Sequence, residues 1–401
     1  MSGPLEGIKV IDCSIWMQGP VAAAILGDLG ADVIKVEERD RGDPMRGFRL
    51  PWAQCRDRPA HFEISNRNKR GMVLDLRKEE GREILYKLVE KSDVFIHNLR
   101  PRAAEKLRLG YDTLSGLNPR LIYCQASGWG LKGPESDKGA FDIASGARAG
   151  FMFMLGEVEE PAPPQTPPGG ISDVAGAMTL AMGTLAALQA RERLGRGQIV
   201  DTSIFGSTIS LLSFNIGFAV SYDFLPPRRP RAKAPNPLCN HYLCADKEWI
   251  LIYMLQFDKY WSSFCEALGI KELEHDPRFE TLDAMVNHSR ELIPILDQVF
   301  ASKTRGEWMK VFSERDFIFA PVQKATDLAR DPQALANEYI VEFDHPTHGP
   351  EKVVGLPYKF SETPGSIRRP CPEFGQHTEE VLLELGYNWD EIARLKQEEV
   401  I

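Results

Sequence analysis

The stretch with the most chemical potential runs from Pro167 to Arg191, PPGGISDVAGAMTLAMGTLAALQAR. One carboxylate, Asp173, follows the glycines Gly169 and Gly170 and precedes a run of uncharged, mostly small residues from Val174 to Ala190. If that run is a buried helix, Asp173 stands at or beside its N-cap, where free backbone N–H groups meet its side chain. A cap alone would account for the pattern. A second use is chemical: a free aspartate titrates near about 3.9, so it is ionised at neutral pH, and a helix N-terminus would hold it so. An ionised carboxylate can attack an activated acyl carbon such as a thioester, giving an acyl-aspartyl anhydride that divides one hard exchange into easier ones. Gly169 and Gly170 would let backbone approach the reacting carbonyl and cover the intermediate.

Other chemistries find less support. Cys239, His241 and Cys244 are close in sequence, but strand spacing puts Cys244 on the opposite face and no fourth ligand stands near, so no metal site is expected. His345 and His348 flank a Pro-Thr turn, where a histidine is a surface residue more often than a ligand. No G-x-S-x-G elbow serves a hydrolase, and no G-x-G-x-x-G serves a nicotinamide cofactor. The net charge of −9 over 401 residues argues against a nucleic-acid surface and leaves room for a local basic pocket. Seven scattered cysteines and no charged-then-apolar leader favour a reducing cytoplasm. Val174–Ala190 falls short of the roughly 18 apolar residues of a membrane span, so a buried helix is expected and no membrane partner.

The elements that must position Asp173 are α/β. GIKVID (7–12) and ADVIKVE (31–37) read as strands around a small-residue helix, a right-handed βαβ unit. The loop after the first strand carries Trp16, Met17 and Gln18, where open α/β sheets bind ligands. SNRNKRGMVLDL (65–76) sets three basic residues before a third strand, and Arg77 and Lys78 follow it. DVFIHN ends a fourth strand at Asn98, followed by the arginine-rich RPRAAEKLRLGYDTL. These two basic turns would suit an anionic phosphate. Residues 156–168 are expected as an exposed crossing loop, and the proline- and arginine-rich 223–234 as a linker. The expected layout is a large domain over 1–200 completed by 335–401, a linker over 201–224, and a smaller α+β domain over 225–330.

Together the motifs P-L-x-G-I-K-V-I-D, G-D-L-G-A-D-V-I-K-V-E, N-R-N-K-R with V-L-D-L, S-D-V-F-I-H-N, L-N-P-R-L-I-Y, S-D-V-A-G-A, G-R-G-Q-I-V-D-T-S-I and G-Q-H-T-E-E-V-L-L-E-L-G resemble the family III coenzyme A transferases over nearly the whole chain. The resemblance implies a Rossmann-like large domain built from both chain ends and an interlocked homodimer. It puts the catalytic aspartate on Asp173. Carried over residue by residue, it puts coenzyme A contacts on Gln18, Leu74, Arg77, Asn98, Leu99, Arg100, Lys106 and Lys138. Glu38 stands where some relatives have an arginine, and 225–250 holds no glycine-rich shielding loop. The reaction implied is transfer of coenzyme A, a co-substrate with no tightly bound cofactor, from an acyl-CoA to a carboxylic acid. Related racemases use a histidine before an aspartate, and here Phe141 precedes Asp142. A non-catalytic subunit working with a sister chain is the other alternative. Trp16, Met17, Phe48 and Phe141 are candidates for an apolar acyl pocket.

Overall fold

In a computed structural model, residues 3–49, 58–155, 164–224 and 230–401 are described. The chain forms two compact units, one from the described parts of 1–155, 164–225 and 341–401, the other from those of 226–340.

The first unit is built on six strands: β1 (Lys9–Asp12), β2 (Asp32–Glu37), β3 (Lys69–Val73), β4 (Val94–His97), β5 (Ile122–Ser127) and β6 (Ile199–Ser203). They pair in parallel in the order β3-β2-β1-β4-β5-β6. Parallel pairing needs crossovers, and helices supply them: α1 (Gln18–Asp28), α2 (Ala60–Asn66), α3 (Glu79–Glu90), α4 (Pro101–Lys106), α5 (Tyr111–Leu117), α6 (Asp142–Arg148), α7 (Phe151–Met154) and α8 (Ile171–Leu194). Because neighbouring strand residues face opposite sides, Ile11 and Val10 belong to different cores. Ile11, Phe95 and Tyr123 pack with Leu85 and Leu88 of α3, and Val10, Val94 and Ile122 pack with α1 and α8. The chain end completes the first of these layers. α16 (Thr378–Glu384) and α17 (Trp389–Gln397) place Val381, Leu382, Ile392 and Leu395 in the α3 core, and Arg70 of β3 pairs with Glu380 and Glu384.

Residues 201–224, expected as a linker, are instead the end of β6 and two helices, α9 (Ile204–Leu211) and α10 (Ser213–Tyr222). They continue the first unit because α8 leads straight into an edge strand and α9 packs back on α8. The crossing loop at 156–168 and the linker at 223–234 lie partly outside the described residues.

The second unit holds an antiparallel sheet of β7 (Cys239–Leu243), β8 (Trp249–Tyr253) and β9 (Phe319–Val322). Helices α11 (Phe257–Leu268), α12 (Leu282–Asn287), α13 (Ser289–Phe300) and α14 (Arg305–Ser313) join it in a core of Tyr242, Phe264, Phe300, Trp308 and Phe312. No metal-ligand cluster of three or more groups exists among the described residues. α15 (Pro332–Ala336) precedes the ribbon of β10 (Ile340–His345) and β11 (Gly349–Val354).

Candidate active site

The sheet order reverses between β1 and β4, and a crevice opens there at the carboxyl ends of the strands. The loop after β1 and the loop after β4 form its two lips. A cavity of about 390 Å³ is lined by Trp16, Met17 and Gln18 from the first and Asn98, Leu99 and Arg100 from the second. Lys138, Phe141, Ile204 and Asp173 complete its wall. A second cavity of about 540 Å³ shares Ile15 and Leu99 with the first and runs to Leu74, Arg77, Glu38, Asp40 and Arg41. The two spaces adjoin at Ile15 and Leu99, with Asp173 on the first and Arg41 and Arg77, among Glu38, Asp40 and Asp75, on the second.

Asp173 sits in the first turn of α8, whose N-cap is Gly170. It does not cap the helix. That role falls to Asp142 of α6, whose two carboxylate oxygens accept the N–H groups of Gly170 at 2.9 Å and Asp173 at 2.8 Å. The expectation that the helix end keeps Asp173 ionised is therefore corrected. Burial, and secondarily the charge of Asp142, push its carboxyl up to about 7. Its own oxygens have no hydrogen-bond partner among the described residues. Gln18 lines the same cavity: the first residue of α1 is 3% exposed and packs on Gly176, where a Cβ would stand 3.0 Å from the Gln18 amide nitrogen. That nitrogen is buried without a partner in the described chain. The cleft thus offers a half-buried carboxylate and, elsewhere on the same cavity wall, a buried amide donor without a partner.

The family III CoA-transferase model matches residues 5–378. The chain belongs to that family. The transferase is 34% identical to the (R)-2-hydroxy-4-methylpentanoate CoA-transferase of Clostridioides difficile over 99% of both chains. It is 32% identical to the cinnamoyl-CoA:phenyllactate CoA-transferase of Clostridium sporogenes, covering 99% of this chain and 97% of that one. In three dimensions it matches the crystal structure of a CAIB/BAIF family protein from Brucella suis with a TM-score of 0.85 at 28% identity, over 96% of this chain and all of that one.

Within the transferase, the sequence-derived candidates divide by position. Gln18, Asn98, Leu99, Arg100 and Lys138 line the Asp173 cavity, and Leu74 and Arg77 line the second. Lys106 lines neither. Asn98 spends its side chain on the opposite lip, accepting the N–H of Ile15 at 2.9 Å and donating to its carbonyl at 2.6 Å. Leu99 donates its N–H to Nδ1 of His97, a fully buried ring that burial pushes down to about 4 and so keeps neutral. Arg77 is held by Asp75, Asp40 and Glu38, so an incoming phosphate must compete with three carboxylates.

The basic turn at 67–70 is not a phosphate site. It precedes β3 and therefore lies at the amino edge of a parallel sheet, opposite the crevice. There Arg67 pairs with Asp28 and Arg70 with Asp32, while the fully buried Lys69 side chain reaches the other way, to Asp12 at the carboxyl end of β1. Of the aromatic candidates, Trp16 and Phe141 meet edge-on at 5.6 Å within the cavity. Phe48 lies outside the lining and stacks edge-on against Trp16 and His61. Sequence reading missed Asp142 as a partner of Asp173, since nothing local links residues 31 apart. It also missed Arg41, an arginine on the second cavity.

Proposed function

We propose that the transferase moves coenzyme A from a donor acyl-CoA to a carboxylic acid by way of Asp173. The single observation that carries this reading is an aspartate at the sheet's switch point, in a cavity, desolvated and free of hydrogen-bond partners. A carboxylate poorly solvated by its surroundings is a stronger nucleophile than one held by donors. Its oxygen attacks the thioester carbonyl, the C–S bond breaks, and coenzyme A leaves as thiolate. The thiolate then attacks the aspartyl carbonyl of the anhydride, forming an aspartyl-CoA thioester and releasing the donor acid. The acceptor carboxylate attacks that thioester and makes a second anhydride. Attack of the thiolate on the acceptor acyl carbon yields the new acyl-CoA and restores the Asp173 carboxylate. The buried, unpaired Nε2 of Gln18, on the wall of the same cavity, would donate to the oxyanions that develop in each addition. Leu74, Arg77 and Arg41 would take the nucleotide half of coenzyme A, and Arg100 and Lys138 the bridge between nucleotide and thioester.

The acyl group would sit among Trp16, Met17, Phe141 and Ile204, which favours acids with apolar side chains. A racemase would need a histidine base beside Asp173, and no histidine is among the residues lining that cavity. The working form we propose is a homodimer of this chain.

The test is acyl-CoA plus enzyme without acceptor, quenched with hydroxylamine and read by peptide mass. An aspartyl hydroxamate at Asp173, with Asp173→Ala losing transfer at least a thousandfold, is the expected result. Full transfer activity in Asp173→Ala would sink the assignment. Deuterium exchange at the α-carbon of a chiral acyl-CoA without transfer would establish the racemase instead.

A further inference from the structure

The lip of the crevice that faces Asp173 is a loop with an unfavourable backbone. Trp16 has φ 67, a left-handed conformation that a bulky residue rarely takes and that surrounding structure must enforce. Its neighbours show what enforces it. The Trp16 N–H donates to Oδ1 of Asp43 at 3.1 Å, and the same oxygen accepts the Met45 N–H at 3.0 Å. The other Asp43 oxygen lies 2.9 Å from Nζ of Lys35, both side chains fully buried, and Lys35 donates to the Ser14 carbonyl at 2.8 Å. Ser14 donates its N–H and its hydroxyl to Asp12, whose other oxygen holds Lys69, and Lys69 also donates to the Pro20 carbonyl at 2.7 Å. With Asn98 on Ile15, the loop is gripped at residues 14, 15, 16 and 20 by buried polar and charged side chains. A buried ion pair is a weak source of stability, and fixing one conformation is its better-attested use.

The loop so held presents Trp16 to Phe141, Met17 to Gly170, and Gln18 to Gly176, three residues along α8 from Asp173. We propose that Asp43, which lines neither cavity, is a positioning residue for the transfer reaction: its Oδ1 holds Trp16 left-handed and so sets Met17 and Gln18 against the amino end of α8. The inference rests on the transfer chemistry proposed above.

The decisive comparison is made in a Lys35→Met background, where no buried cation is left unpaired. There Asp43→Asn keeps an oxygen for the Trp16 N–H, and Asp43→Ala does not. Transfer kinetics with a donor acyl-CoA should give a kcat at least tenfold lower for the alanine variant than for the asparagine variant, with the donor KM of the two within threefold. Both should show the same far-ultraviolet dichroism. Equal kcat values within twofold, or a loss in the asparagine variant as large as in the alanine one, would overturn the assignment. So would an alanine variant that fails to fold beside a folded, active asparagine variant, because the acceptor would then serve stability alone. If Asp173→Ala, made with Lys35 and Asp43 intact, transfers coenzyme A as well as the unsubstituted enzyme, the nucleophile is wrong. That outcome is separate from the contrast at residue 43.

Discussion

Asp173 shows how far one residue's environment departs from what its neighbours in sequence imply. A first-turn carboxylate is ordinarily stabilised as an anion, yet here Asp142 takes the helix N–H groups and adds its own charge. With Asp173 pushed up to about 7, the nucleophilic form fills in as pH rises. At low pH, kcat/KM should climb with unit slope and level off above about 7, so that pH 6 gives about a tenth of the plateau. A flat profile from 5.5 to 8.5 would contradict this. Asp142→Asn keeps one acceptor oxygen and removes the charge, so the acid limb should move to lower pH while the burial contribution remains. The same shift fixes a stability trend. The native pKa lies above the unfolded one, so between about 4 and 7 the unfolded chain releases a proton that the native one keeps, and stability falls as pH rises. Asp173→Asn should therefore raise the melting temperature at pH 8 and leave it nearly unchanged at pH 4, read by calorimetry.

The elements were more legible than their uses. Alternating and continuous apolar runs marked the strands at 7–12, 31–37 and 93–98, and the small-residue run after Asp173 marked α8, because hydrophobic period reports local structure directly. The basic turn at 67–70 was misread because charge in sequence carries no information on which edge of a sheet it reaches. α8 was expected to be buried, and by length and composition it could cross a membrane, but it buries only one face. Gly176, Ala177, Leu180, Ala181 and Thr184 pack inward, and Val174, Met178 and Met182 stay exposed at every fourth residue. Gly176 of α8 packs directly against the Gln18 side chain of α1. Gly176→Ala should gain helix propensity of up to about 1 kcal/mol and still lower kcat about tenfold, because the new methyl displaces the Gln18 amide. Unchanged kcat with a shifted melting temperature would separate that contact from catalysis.

At the scale of the molecule, the described residues of one chain leave large apolar side chains uncovered, and these support the proposed homodimer. α10 buries none of its residues, and Phe214, Val220 and Tyr222 are 78%, 80% and 75% exposed. With the α8 stripe, these faces fit the proposed second copy. Sedimentation should give twice the 45.0 kDa chain mass, and Phe214→Asp with Val220→Asp should reduce it to the monomer. A monomeric unmodified chain would end that proposal. By itself the sequence determined the α/β architecture and singled out Asp173 as the aspartate to test, and its family resemblance implied the return of the chain end to the large domain. All of these follow from local periodicity and from motif residues read in order. Only the tertiary structure decided that Asp142 caps the helix, that Arg67 and Arg70 pair at the sheet edge opposite the crevice while Lys69 is spent on Asp12 and Pro20, and that buried Lys35 and Asp43 hold Trp16 in place. Those outcomes depend on side chains meeting across as many as 57 residues in a desolvated interior, where burial and charge set protonation and conformation, and no local pattern encodes such meetings.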